Sequence, residues 1–189
     1  MEKLILASGS PRRSELLTLA GIPFEVCSVH VDESCSSPAN EAVRILSRRK
    51  ALAAGALLPG RYILAADTLV ELEGKIFGKP ENKQDAFRML CALSGNTHHV
   101  FTGVSLLSPD GVLQSEVDSS SVSFCELSDK EINDYISGGE PMDKAGAYAA
   151  QGHAALFITH LDGTHASVMG LPLHKVRELL INAGFPFPR

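Results

Sequence analysis

A chain of 189 residues, 44% hydrophobic and 21% charged, has the length for one well-packed domain or two small lobes and the composition of an ordinary globular protein. Its net charge of −5 excludes a molecule-wide footprint for nucleic acid and confines any anion site to a local basic pocket. Cys27, Cys35, Cys91 and Cys125 form no CxxC pair, which argues against structural zinc or a disulfide framework and suits reduced thiols in a cytoplasmic protein; no apolar run nears the roughly 20 residues needed to cross a bilayer, and the N-terminus does not read as a signal peptide, so no membrane is expected.

The first element is an apolar run, Leu4 to Ala7, followed by Ser8, Gly9, Ser10, Pro11, Arg12 and Arg13. This predicts a strand-to-helix turn suited to anions. Ser10 is typed as an N-cap with Pro11 at the first helical position, and Gly9 allows close backbone approach to a ligand. The N–H groups at a helix start favour phosphate, and arginine adds forked donors. The helix should run from Pro11 to Ala20, with Leu16, Leu17 and Ala20 buried and Gly21 ending it. Phe24 to Val31 reads as a strand with Asp32 and Glu33 at its end, and Ser34 to Asn40 as a loop. Asn40 is expected to cap a helix from Glu41 to Ala56, whose stripe of Val43, Leu46 and Ala53 lies opposite Arg44, Arg48 and Lys50.

Tyr62 to Ala66 reads as a buried strand with Asp67 and Thr68 at its tip. A carboxylate there is expensive to bury without a partner, which points to a metal, a lysine or a water needing activation. Glu73 and Gly74 between Leu69–Leu72 and Lys75–Phe77 signal a hairpin, and Lys79 follows between Gly78 and Pro80. Asn82 caps a helix through Leu93. His98 to Leu107 and Val112 to Phe124 are long strands, and Ser128 with Glu131 makes a capping box for a helix over Asp129 to Ser137. Met142 to Gly152 is too polar and glycine-rich for plain core; Leu156 to Leu161 and Ala166 to Met169 read as strands, and Pro172 opens a last helix to Ala183. Strands and helices in this order predict an α/β fold, a mixed twisted sheet flanked by helices.

The Ser8–Arg13 cradle, the acids Glu33 and Asp67 and the lysines Lys50 and Lys79 together suit a nucleoside polyphosphate: cations hold phosphates, carboxylates hold Mg²⁺ or Mn²⁺, and one acid orients a water. Taken singly, Lys79 is also readable as a solvated loop lysine, Glu33 as a turn carboxylate and Asp67 as a capping acid. There is no GxxxxGK[ST] phosphate loop, SGS is not the GxSxG elbow, and the histidines lack metal-ligand spacing.

The stretches LASGSPRRSELL, AADTLV, GKP, LSGNTHHVFTGV, GEPMDKAGAYAAQG and GLPL occur in that order along nearly the whole chain. In this the chain closely resembles the Maf family of nucleotide pyrophosphatases. The resemblance implies a single Maf-like domain over residues 1–189 with two lobes and a central cleft, a homodimer, and divalent-cation-dependent hydrolysis of nucleoside triphosphates to the monophosphate and pyrophosphate. Lys144 and Tyr148 fall where the branch preferring 7-methyl-GTP carries cysteine and phenylalanine, so this chain looks like the dTTP/UTP branch; Ala150 departs from the larger aliphatic residue frequent there. Matched by motif, Asp67 is the catalytic acid; Arg12, Thr68 and Gln151 are specificity positions; Ser8, Ser10, Arg13, Lys50 and Lys79 bind phosphate; and Glu33 joins Asp67 near the metal. Gln151 is expected to be a buried amide whose donor and acceptor a purine would leave unpaired. A non-hydrolysing regulator of septum formation is the alternative, and modified pyrimidine nucleotides are further candidate substrates for a pool-sanitising enzyme.

Overall fold

The computed structural model describes residues 2–187. Its strands are β1 (Leu4–Leu6), β2 (Phe24–Val26), β3 (Ile63–Leu72), β4 (Lys75–Phe77), β5 (Thr97–Leu107), β6 (Leu113–Phe124) and β7 (Ile158–Asp162). The helices are α1 (Pro11–Leu19), α2 (Ala39–Leu57), α3 (Lys83–Leu93), α4 (Asp129–Ser137), α5 (His165–Val168) and α6 (Leu173–Asn182). The strands form a seven-stranded sheet in the order β2-β1-β3-β5-β6-β7, with β4 paired to β3. It is mixed, as expected: β1 runs parallel to β2 and β3, whereas β4 opposes β3 and β7 opposes β6.

The chain divides into two compact units. The first comprises Met1–Asp67, Thr102–Asp118 and Gly170–Arg189; the second comprises Thr68–Phe101 and Ser119–Met169. In the first, Ile5 and Ala7 meet Ile63, Ala65, Ala51 and Ala54, all essentially sealed from water. Gly103 lets α2 lie hard against β5, since a Cβ there would collide with the Val43 carbonyl and the Arg44 amide. The second unit is built on aromatic packing: Phe124, Tyr135, Tyr148 and Phe157 pack with Leu90, Leu93 and Ile132. Each fully buried leucine contributes roughly 1.5–3 kcal/mol by leaving water.

Local signals account for most boundaries. Asn82 Oδ1 accepts from Asp85 N at 2.9 Å, and the Ser128–Glu131 capping box is complete. Glu73 and Gly74 both take positive φ, 52° and 79°, as the two-residue turn between β3 and β4 requires. Four expectations are corrected. The strand after Gly21 stops at Val26, because its partner β1 ends at Leu6 where Ser8 and Gly9 turn away, leaving residues 28–31 without a ladder. Helix α2 begins at Ala39 with Pro38 as its cap, whose carbonyl accepts from Ala42 N at 2.8 Å, so Asn40 lies inside the first turn. Residues 165–168 are a helical turn, not strand, because Thr164 Oγ1 caps Ser167 N at 3.2 Å. Most consequentially, Asp67 is not at a strand tip: β3 continues through it to Leu72.

Candidate active site

The first unit gathers Ser8, Ser10, Arg13, Glu33, Lys50 and Asp67. β1 and β3 are parallel neighbours, with Leu6 opposite Leu64, so the turn leaving β1 and the Asp67 stretch of β3 lie toward the same end of the pair. α2 contributes Lys50 from its inward side. Lys50 follows Val43 by two helical turns, which sets it beside the stripe of Ala42, Val43, Leu46, Ser47, Ala51 and Ala54 and not with exposed Arg44 and Arg48; Ala53 is only half-buried.

Lys50 Nζ lies 2.5 Å from Asp67 Oδ1 and 2.8 Å from Glu33 Oε1. The Lys50 and Asp67 side chains are 14% and 11% exposed, whereas Glu33 is 59% exposed. The ammonium therefore offsets the cost of holding the Asp67 charge inside a strand, and Glu33 closes over it from a solvated loop. Lys50 engages Asp67 through Oδ1, one of the two carboxylate oxygens.

Ser8 is buried, and its Oγ accepts from Arg13 Nη1 at 2.9 Å and from Ser10 N at 3.3 Å. Ser10 has the extended backbone of an N-cap, yet its hydroxyl makes no capping bond. The side-chain oxygen organising this turn is that of Ser8. Arg13 Nε donates to Gly170 O at 2.8 Å, a tether that sequence reading missed although Gly170 opens the GLPL stretch singled out there. Burial pulls the Arg13 pKa down to about 10, with Asp67 opposing the fall, Arg12 adding to it and Glu33 opposing it. Arg13 is thus charged at neutral pH and within electrostatic reach of both acids. Gly9 has ordinary negative φ, and its missing Cβ accommodates Ser28 Oγ.

Thr68, Lys79 and Gln151 belong to the second unit. Thr68 follows Asp67 on β3 and is half-buried, its side chain on the opposite face of the strand. Lys79 is exposed, in a loop held to the Lys144–Tyr148 segment by Gly146 N donating to Gly78 O at 3.0 Å. Gln151 is exposed as well, which corrects the expectation of a buried amide. Lys144 reaches Glu140 O at 2.7 Å and Asp143 Oδ1 at 2.5 Å.

Two carboxylates directed at one cationic centre are hard-oxygen donors of the kind Mg²⁺ or Mn²⁺ takes from a protein when phosphates complete its coordination. The described residues contain no cluster of three or more His, Cys, Asp and Glu. Such a pair fits a cation that arrives with its substrate better than one held in an all-protein cage.

The family model described as Maf-like protein matches residues 3–183. A dTTP/UTP pyrophosphatase of Geobacillus sp. (strain WCH70) is 49% identical over 95% of this chain and 97% of its own length. One of Symbiobacterium thermophilum is 46% identical over 98% and 96%, and one of Bacillus anthracis 45% identical over 95% of each. In fold, the Staphylococcus aureus Ham1 protein matches with a TM-score of 0.56 at 14% identity, over 96% of this chain and 99% of that one. A family model that matches residues 3–183, together with relatives 45–49% identical across nearly the whole chain, makes this chain a member of the Maf-like protein family.

Proposed function

We propose that this protein is a hydrolase that cleaves dTTP and UTP, and modified pyrimidine nucleotides related to them, to the nucleoside monophosphate and pyrophosphate. The observation that carries the reading is the approach of Asp67 and Glu33 to one ammonium beside the Ser8–Arg13 turn. The names of the relatives support the substrate class.

Asp67 is the catalytic residue. Its carboxylate takes the proton of a water as the water oxygen forms a bond to the α-phosphorus; the bond from α-phosphorus to the bridging oxygen breaks, and pyrophosphate leaves with the electron pair. Ser8, Ser10, Arg13, Lys50 and Lys79 bind the phosphates, and the cations among them compensate charge that grows on the leaving group. Asp67 and Glu33 would hold a divalent cation, Mg²⁺ or Mn²⁺, which when bound neutralises the triphosphate and lowers the barrier to its attack. Arg12, Thr68 and Gln151 select the base; being exposed in the free protein, Gln151 acts by a contact that the substrate itself completes.

The chain acts as one domain, a reading supported by a family match that runs through both units. No helix among the described residues is long and apolar enough to cross a membrane, and the four cysteines are free thiols. A cytoplasmic setting agrees with those thiols, and a homodimer follows from the family resemblance, with sedimentation as its test.

The experiment is pyrophosphate release from a panel of canonical and modified nucleotides, with Asp67→Asn as the comparison. The substitution keeps shape and removes the base, so kcat/KM for dTTP should fall by about a thousandfold while the fold persists. A folded Asp67→Asn enzyme with near-normal turnover refutes the role of Asp67. Tight binding of dTTP by the unaltered protein without turnover refutes hydrolysis.

A further inference from the structure

Residues 148–152, which carry Gln151, form no helix or strand, yet their backbone is fixed from both sides. Ala149 N donates to the Tyr135 hydroxyl at 3.1 Å, and that hydroxyl donates to Glu140 Oε1 at 2.8 Å. The other oxygen of the same carboxylate accepts from His153 N at 3.3 Å. Two residues before Gln151 and two residues after it are thereby bound to one tyrosine and one carboxylate. Gly152 completes the fit, because a Cβ at that position would run into the Glu140 carboxylate. Tyr148 is anchored separately, its hydroxyl 2.8 Å from His98 Nε2. Ala147 is held at φ 59°, a left-handed conformation that an alanine keeps only where its surroundings over-determine it.

Tyr135 is itself rigid. It is 5% exposed on α4, and its ring meets Phe157 edge to face at 5.3 Å. Its hydroxyl is used in both directions, accepting from the loop and donating to the acid.

We propose that Tyr135 and Glu140 are positioning residues for base selection: they form a latch that fixes the backbone from Ala149 to His153 and so presents Gln151 to the pyrimidine. This rests on the assignment of Gln151 as a specificity residue. Neither latch residue touches the substrate. Their effect runs through Gln151 alone, so it falls on recognition and not on the chemical step.

The test compares Tyr135→Phe, Glu140→Gln, Gln151→Ala and the Tyr135→Phe/Gln151→Ala double variant, with dTTP, UTP and dCTP as substrates and thermal melting of each protein. Tyr135→Phe keeps the ring and its packing on Phe157 and loses both hydrogen bonds. It should raise KM for dTTP and UTP about tenfold and narrow their preference over dCTP by a similar factor, with kcat within about twofold of the unaltered enzyme. Glu140→Gln retains one acceptor oxygen and should fall between the unaltered enzyme and Tyr135→Phe. The double variant should be no worse than Gln151→Ala, because both changes remove one interaction. Unchanged KM and selectivity in Tyr135→Phe, with both altered in Gln151→Ala, overturns the latch and leaves the specificity assignment standing. A loss of kcat that tracks the melting temperature overturns it in favour of a merely structural brace. If Gln151→Ala alters neither quantity, the specificity assignment fails and takes the proposal with it. Faster hydrogen exchange at Ala149 N in Tyr135→Phe checks the hydrogen bond independently of any activity.

Discussion

The two units handle buried polarity by opposite means. In the first, Lys50, Asp67, Glu33 and Arg13 are charged groups in mutual reach, one of them open to solvent. In the second, His98 and Tyr148 form a neutral hydrogen-bonded pair inside an aromatic cluster, His98 lying edge to face with Phe124 at 5.0 Å. Burial pulls the His98 pKa down to about 4 and pushes the Tyr148 hydroxyl well above its ordinary range. Burial raises Tyr135 in the same way, with its hydrogen bond to Glu140 adding to the rise. A charged set open on one side can exchange partners when a polyphosphate and its cation arrive, since each charge keeps compensation throughout. A neutral sealed set has no solvent or charge with which to exchange partners and resists change, even though His98 Nδ1 finds no partner among the described residues. The polar groups free to regroup therefore sit in the first unit, and the fixed ones in the second.

The most direct way to break this contrast is to take the shared cation from the first unit. Lys50→Met leaves the Asp67 carboxylate buried without its partner and should destabilise the protein by about 3 kcal/mol, read as a lower urea midpoint at pH 7. Equal stability would mean that the ammonium does not compensate Asp67.

The second unit is tested by acid. An unfolded histidine accepts a proton near pH 6.5, but buried His98 does not until about pH 4, so the unfolded state binds more protons throughout that window. The folded-state pKa is lowered, hence the contribution is intact above pH 6.5 and is lost as pH falls toward 4. Between these limits roughly 3 kcal/mol of stability should disappear. His98→Phe should flatten that slope, measured as urea midpoints at pH 7 and pH 5; an unchanged slope would assign the acid sensitivity elsewhere.

The smallest effect sharpens the comparison within the first unit. Glu33→Gln removes the exposed partner of Lys50 and should cost less than about 1 kcal/mol of stability, because solvent already screens that pair. Its effect on nucleotide turnover should be much larger than its effect on melting. A large loss of stability would place Glu33 with the structural charges.

Much of the fold was legible because its signals are local. Pro11 after Ser10, Asn82 ahead of α3, the Ser128–Glu131 box and the Glu73–Gly74 turn each act over four residues or fewer, and each marks an observed boundary. Where a boundary depended on a neighbour, sequence reading ran past it. Phe24 to Val31 alternates like a strand, but β1 provides partners only as far as Val26. Ala66 seemed a natural end for β3 because a charge followed; Lys50, 17 residues earlier on another element, makes that charge tolerable and the strand continues. The site was legible as a set of residue types and not as a geometry. Ser8 organises the turn where Ser10 was expected to, and the Gly170 carbonyl holding Arg13 lies 157 residues away.

By itself the sequence determined the strand-to-helix turn at Ser8–Pro11, the helix caps, the hairpin and the Maf-like motifs, because these depend on backbone preferences and on residues adjacent in the chain. Only the tertiary structure decided that Asp67 and Glu33 share Lys50, that Arg13 is tied to Gly170, and that Tyr135 and Glu140 hold the Gln151 segment. The physical reason is range. A cap or a turn is settled by the conformational cost of a few residues, whereas a buried charge or a fixed loop is settled by whichever distant group packing brings within hydrogen-bonding distance.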